Sequence, residues 1–127
     1  MTEADAGKHL LDGLSVLVVE DEAIISFLLE DMLGELGAAD IRHAGTVAAA
    51  LICIDERQPD LAMLDVNLGG ERVYPVAERL EAAGARFVFT TGYGKSGMDA
   101  RWAGKVVVQK PFAADAMVAA LRAALAQ

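Results

Sequence analysis

Ser15-Val16-Leu17-Val18-Val19-Glu20-Asp21-Glu22 decides the fold. Its first five residues make a short β-branched run with no polar alternation. Such a run reads as a strand covered on both faces. Three acids stop it, and the period then changes. Ile25, Leu28, Leu29, Met32, Leu33 and Leu36 recur at helical spacing, and Gly37 closes the helix. A buried strand followed at once by an amphipathic helix is the repeating unit of parallel sheets.

The unit recurs outward along the chain. Residues 39–44 alternate weakly around Ile41, as an edge strand would, and Thr46 is an N-cap for a helix to about Asp55. Leu61-Ala62-Met63-Leu64 is a second buried strand and runs into Asp65. Gly69-Gly70 break the chain, and Val73, Val76, Ala77 and Leu80 mark a helix that Gly84 closes. Phe87-Val88-Phe89 runs into Thr90-Thr91. Gly92–Gly97 holds three glycines in six residues and is expected to be a mobile loop. Val106–Val108 leads to Lys110-Pro111, and Met117, Val118, Leu121 and Leu125 face inward on a last helix. Strict alternation of strands and helices predicts an α/β fold, a doubly wound parallel sheet. The number and length of units predict the flavodoxin-like order 2-1-3-4-5, with five strands and a shortened or disordered fourth helix. Residues 1–13 carry no periodicity and are expected to be a flexible tail, leaving 14–127 as one domain.

Composition limits the function. The 127 residues suit a single core, and 54% hydrophobic with 24% charged residues describes a globular chain. Nineteen acids against eleven Lys and Arg give a formal charge of −8. That argues against nucleic acid or an anionic membrane as partner. Cys53 is the only cysteine, so there is no disulfide framework and no multi-cysteine zinc site. The acidic start Thr2-Glu3-Ala4-Asp5 is no signal peptide, and no apolar run approaches a membrane span. A cytoplasmic setting is expected.

In an open parallel sheet, functional groups gather at the carboxyl ends of the strands. Glu20-Asp21-Glu22, Asp65 with Asn67, Thr90-Thr91 and Lys110 stand there. Crowded carboxylates repel unless a cation joins them. Oxygen ligands with room for water suit Mg²⁺. A carboxylate can also be a nucleophile and form an aspartyl phosphate. Phosphoryl transfer needs in-line placement and positive charge more than acid–base groups. Asp65, on the central strand, is the natural acceptor, with Lys110 as a cation and a threonine hydroxyl as a hydrogen-bond donor.

Leu17-Val18-Val19-Glu20-Asp21-Glu22, Leu64-Asp65-Val66-Asn67-Leu68, Phe89-Thr90-Thr91-Gly92 and Val108-Gln109-Lys110-Pro111-Phe112 resemble the four signature segments of response-regulator receiver domains. The resemblance runs from about Leu14 to the C-terminus. It implies phosphorylation of Asp65 by a histidine kinase or a histidine phosphotransfer protein in a phosphorelay of two-component signalling. It implies Mg²⁺ held by Asp21, Asp65 and the carbonyl of Asn67, with Glu20 close by or acting through water. Thr91 and Lys110 would bind the phosphoryl oxygens, and the Lys110-Pro111 bond would be cis. Glu20 stands where the family more often has Asp. Val107 stands where many receivers carry an aromatic switch residue. Phe89-Thr90-Thr91-Gly92-Tyr93 is similar to the Phe-Ala-Thr-Gly motif of a subgroup, often single-domain, without that aromatic. Thr90 replaces the motif's Ala, and Gly94 stands where Tyr is usual.

The resemblance therefore implies a single-domain regulator that is not an enzyme, acting by phosphorylation-dependent contact with a downstream protein or as a phosphate sink. It is expected as a monomer or weak dimer. Without an aromatic at Val107, the signal is expected to leave through residues 92–104, as an order–disorder switch. One rival reading is a Mg²⁺-dependent phosphatase with an aspartyl-phosphate intermediate. It needs a second acid two residues after the nucleophile, where this chain has Asn67. The other is a degenerate receiver, against which the complete set of acids, threonine and lysine argues. Cys53 among Ile52 and Ile54 reads as a small core residue, and His9 and His43 lack ligand partners at metal spacing. Trp102 is expected to pack against the sheet end.

Overall fold

The computed structural model describes residues 7–92 and 97–127. The described strands are β1 (Ser15–Val19), β2 (Asp40–Ala44), β3 (Leu61–Asp65), β4 (Asn67–Leu68), β5 (Glu71–Arg72), β6 (Arg86–Thr91) and β7 (Val107–Gln109). The α-helices are α1 (Ala23–Glu35), α2 (Val47–Glu56), α3 (Tyr74–Ala82) and α4 (Ala114–Leu125). The main sheet has five strands in the order β2-β1-β3-β6-β7, every neighbouring pair parallel. With the small β4–β5 hairpin set aside, this is the 2-1-3-4-5 order expected from the sequence.

The alternation of side chains along each strand divides the core. Leu17, Val19, Ala62, Leu64, Phe87 and Phe89 meet α2 and α3, through Ala50, Ile54, Val76 and Leu80. Val16, Val18, Leu61, Met63, Val88 and Val108 meet α1 and α4, through Leu29, Leu33, Met117 and Leu121. Both faces of the sheet are covered, which is why its strands read as unbroken apolar runs. Thr46 caps α2, its Oγ1 accepting the N–H of Ala49 at 3.0 Å. Arg42, on the edge strand β2, donates to the carbonyls of Cys53 (2.7 Å) and Arg57 (2.6 Å) and so ties β2 to the end of α2.

Three features differ from the sequence expectation. On α1, Leu29 and Leu33 supply the buried stripe, and Leu28 turns outward beside Ile24 and Phe27. The helix carries more apolar residues than one sheet face can cover. The tail expected over 1–13 is anchored in its described part. Leu11 is fully buried, its N–H donates to the Leu36 carbonyl at 2.9 Å, and Asp12 bridges Ala38. A single buried leucine has no periodicity to announce it. Third, residues 100–104, expected within a mobile segment, are held in place.

The shortened fourth helix is a single 3₁₀ turn, Ala100–Trp102, between β6 and β7. Trp102 is 1% exposed. Its ring stacks on Tyr74 (6.2 Å, 13°) and meets Phe87 and Phe89 edge-on. Arg101 lies 4.4 Å over the Trp102 ring and pairs with Glu78 and Glu81 of α3. Tyr93, Gly94 and the rest of 93–96 lie outside the described residues, so the expected 92–104 switch falls partly there. Among the described residues, no helix is long and apolar enough to cross a membrane.

Candidate functional site: an acidic cleft at the carboxyl end of the sheet

Parallel register brings the polar strand ends to one level. Val19 pairs with Leu64, Asp65 with Thr90, and Thr91 with Gln109. Glu20, Asp65, Thr91 and Lys110 therefore stand at the ends of four successive strands, β1, β3, β6 and β7. At these strand ends lies a cleft of ≈ 610 Å³ lined by Asp65, Asn67, Thr91, Lys110 and Arg72, together with Glu22 and Met98. The Lys110-Pro111 peptide bond is cis.

Glu20 is fully buried. One of its oxygens accepts from Lys110 Nζ at 2.8 Å and the other from the N–H of Glu22 at 3.1 Å. Lys110 Nζ also lies 3.4 Å from Asp65 Oδ2, and Asp65 Oδ1 accepts from the N–H of Asn67 at 3.4 Å. Glu20, Asp21 and Asp65 each bring a carboxylate oxygen within 4.8 Å of the others. Asp21 is open to solvent and Asp65 is 5% exposed. Three acids this close, one at the solvent edge, suit a hard divalent cation.

The electrostatics carry the mark of that crowding. Burial, then the neighbouring charge of Glu20, pushes Asp65 up to about 7, against the opposing pull of Lys110. Burial works to lower the Lys110 pKa, but its hydrogen bond to Glu20 and the charges of Asp65 and Glu20 hold it above the ordinary lysine value. Lys110 is therefore an ammonium at neutral pH.

Asp65 binds its proton more tightly folded than unfolded. Its contribution to stability is thus present below its ordinary 3.8 and lost as pH rises through about 7. In a chelator, the melting temperature should fall from pH 5 to pH 8. Mg²⁺ should raise it more at pH 8, where Asp65 is ionised, than at pH 5, where protons compete. An equal Mg²⁺ effect at both pH values would show that Asp65 is not among the ligands.

Of the sequence-predicted residues, Asp65, Asn67, Thr91 and Lys110 line this cleft, while Glu20 and Asp21 stand beside it, grouped with Asp65. Thr91 lines the cleft, whereas Thr90 is fully buried with no hydrogen-bond partner on its hydroxyl among the described residues. His43 donates from Nε2 to the Glu20 carbonyl at 2.8 Å and so props the strand end. Arg72 also lines the cleft, with no pattern in the sequence to mark it. In the sequence Gly69-Gly70 reads as a chain break, although two glycines between polar residues are also a hairpin turn.

Residues 16–122 match the family model described as the response regulator receiver domain. Among curated relatives, the chain is 31% identical to the sensory transduction protein LytT of Bacillus subtilis over 93 residues. That match covers 68% of this chain and 37% of LytT, so the chain spans little more than a third of that relative. It is 28% identical to the chemotaxis protein CheY of Bacillus subtilis over 116 residues, covering 87% of this chain and 96% of CheY. The solution structure of SdrG from Sphingomonas melonis Fr1 is similar at 43% identity and a TM-score of 0.80, covering 91% of this chain and 98% of that one.

Proposed function

Because the chain belongs to the response regulator receiver domain family, we propose that it is a phosphorylation-dependent switch with Asp65 as its acceptor. The observation that carries this reading is the setting of Asp65. It is a nearly buried carboxylate at the end of the central strand, beside an ammonium at 3.4 Å and within 4.8 Å of two further acids. A structural ion pair would need no second and third carboxylate.

An Asp65 oxygen attacks the phosphorus of a phosphohistidine on a histidine kinase or histidine phosphotransfer protein. The Oδ–P bond forms, the P–N bond breaks, and the electron pair returns to the imidazole ring. Lys110 keeps its proton and offsets charge on the phosphoryl oxygens. The Thr91 hydroxyl donates to one of those oxygens. Mg²⁺, held by Asp21, Asp65 and the Asn67 carbonyl, would supply the remaining positive charge. Both oxygens of Glu20 already accept hydrogen bonds, which favours a share for Glu20 through water rather than by direct contact. The outward apolar face of α1, with Phe27 78% exposed, starts directly after Glu22 at the cleft wall. It suits a protein that must bring its phosphohistidine to Asp65. The output is contact with a downstream protein, or a sink for phosphoryl groups, in a cytoplasmic single-domain regulator that works as a monomer or weak dimer.

The test uses the whole chain, acetyl phosphate and Mg²⁺, followed by intact mass. One phosphoryl group should be added, and none in a chelator. Equal labelling with and without the metal would remove the metal from the reading. No labelling with it would remove the acceptor.

A further inference from the structure

Arg72 lines the cleft, yet none of the roles above uses it. β4 and β5 pair antiparallel, with Asn67 opposite Arg72 and Leu68 opposite Glu71. Gly69 and Gly70 make the two-residue turn at φ of +53° and +94°. Two consecutive positive φ values give the turn whose twist matches its flanking strands. Directly opposed residues of such a pair share one face. Leu68 is buried, and Asn67 and Arg72 both border the cleft. The hairpin therefore holds Arg72 across from the residue whose N–H bonds Asp65 Oδ1.

Among the described residues the guanidinium is uncommitted. Arg42 is spent on carbonyls, and Arg57, Arg79 and Arg101 on carboxylates. Arg72 has no side-chain hydrogen bond or ion pair among the described residues. Charge balance gives it a purpose. With Asp65 phosphorylated, a phosphoryl dianion joins Glu20, Asp21 and Glu22 around the cleft. Lys110 and one divalent cation leave two negative charges in excess, and Arg72 halves that excess.

We propose that Arg72 is a phosphoryl-binding residue of the cleft, its planar fork pairing two oxygens of the transferring group. The proposal rests on the reading of Asp65 as acceptor. With acetyl phosphate, the Oδ–P bond forms at Asp65 and the P–O bond to acetate breaks. Acetate leaves with the electron pair, and Arg72 neither gives nor takes a proton.

The experiment measures the initial rate of labelling by acetyl phosphate at saturating Mg²⁺, over a range of donor concentrations. Arg72→Gln should lower the rate about tenfold at low donor, mainly by raising the half-saturating concentration. Arg72→Lys should fall between, having the charge without the fork. Arg122→Gln removes the same charge near the far end of α4 and should change nothing. An Arg72→Gln rate within about twofold of the unaltered protein, or an equal loss in Arg122→Gln, overturns this inference alone. An unaltered protein that takes up no phosphoryl group overturns the acceptor reading and this inference with it.

Discussion

Asp65→Asn should take up no phosphoryl group from acetyl phosphate in the presence of Mg²⁺, while folding as well as the unaltered protein or better. The loss of chemistry follows from the nucleophile. A carboxylate oxygen carries the electron pair that forms the Oδ–P bond, and an amide oxygen is far weaker. The retained fold follows from the electrostatics. Burial and Glu20 already disfavour the charge on Asp65. Asn removes that charge, keeps the shape, and still offers an oxygen to the Asn67 N–H. Without metal at pH 8 the variant should therefore melt higher than the unaltered protein, and the fall in melting temperature from pH 5 to pH 8 should flatten. The difference should be on the order of a few kcal/mol, because a buried group with its pKa raised to about 7 carries that much. Undiminished labelling of Asp65→Asn would place the acceptor elsewhere. A variant that unfolds would mean that the carboxylate is a structural partner of Lys110, as in an ordinary buried ion pair.

The strands and the cleft were legible for one reason. A strand buried on both faces carries no surface information, so its polar residues fall at its end. Glu20, Asp65, Thr91 and Lys110 stand out against Val16–Val19, Leu61–Leu64, Phe87–Phe89 and Val106–Val108 for that reason. What was illegible depends on tertiary neighbours. Leu28 and Leu29 are equivalent by type, and only the packing of α1 decides that Leu29 goes in and Leu28 stays out. Glu20 read as one more acid at the cleft. Its burial and its bond to Lys110, ninety positions away, could not be read locally. Arg72 stayed hidden because two-residue strands have no period. Their pairing is set by Gly69-Gly70 and by the N–H of Val73 returning to the Val66 carbonyl at 3.1 Å.

Trp102 should be the most costly single truncation in the region between β6 and β7. A βαβ crossover usually covers the sheet with a helix. Here a three-residue 3₁₀ turn takes that place, and the apolar surface a helix would spread over several side chains is concentrated in one indole. Trp102→Ala should destabilise the fold by about 3–5 kcal/mol, since the rings of Tyr74, Phe87 and Phe89 cannot close over so large a void. For a domain of this size that is a fall in melting temperature on the order of 10–20 °C. Trp102→Phe should recover much of it. Arg101→Ala keeps the indole and loses only exposed contacts to Glu78 and Glu81, so it should cost about 1 kcal/mol or less. Trp102 is the sole tryptophan, so the comparison needs circular dichroism rather than fluorescence. The same anchor bears on signalling. Asp99 donates its N–H to the Tyr74 hydroxyl at 3.1 Å, and Met98 beside it lines the cleft. A change at the phosphoryl site that moved Met98 would thus pull on α3 through Tyr74 and Trp102, with no aromatic needed at Val107. A Trp102→Ala protein as stable as the unaltered one would remove both the packing argument and this route.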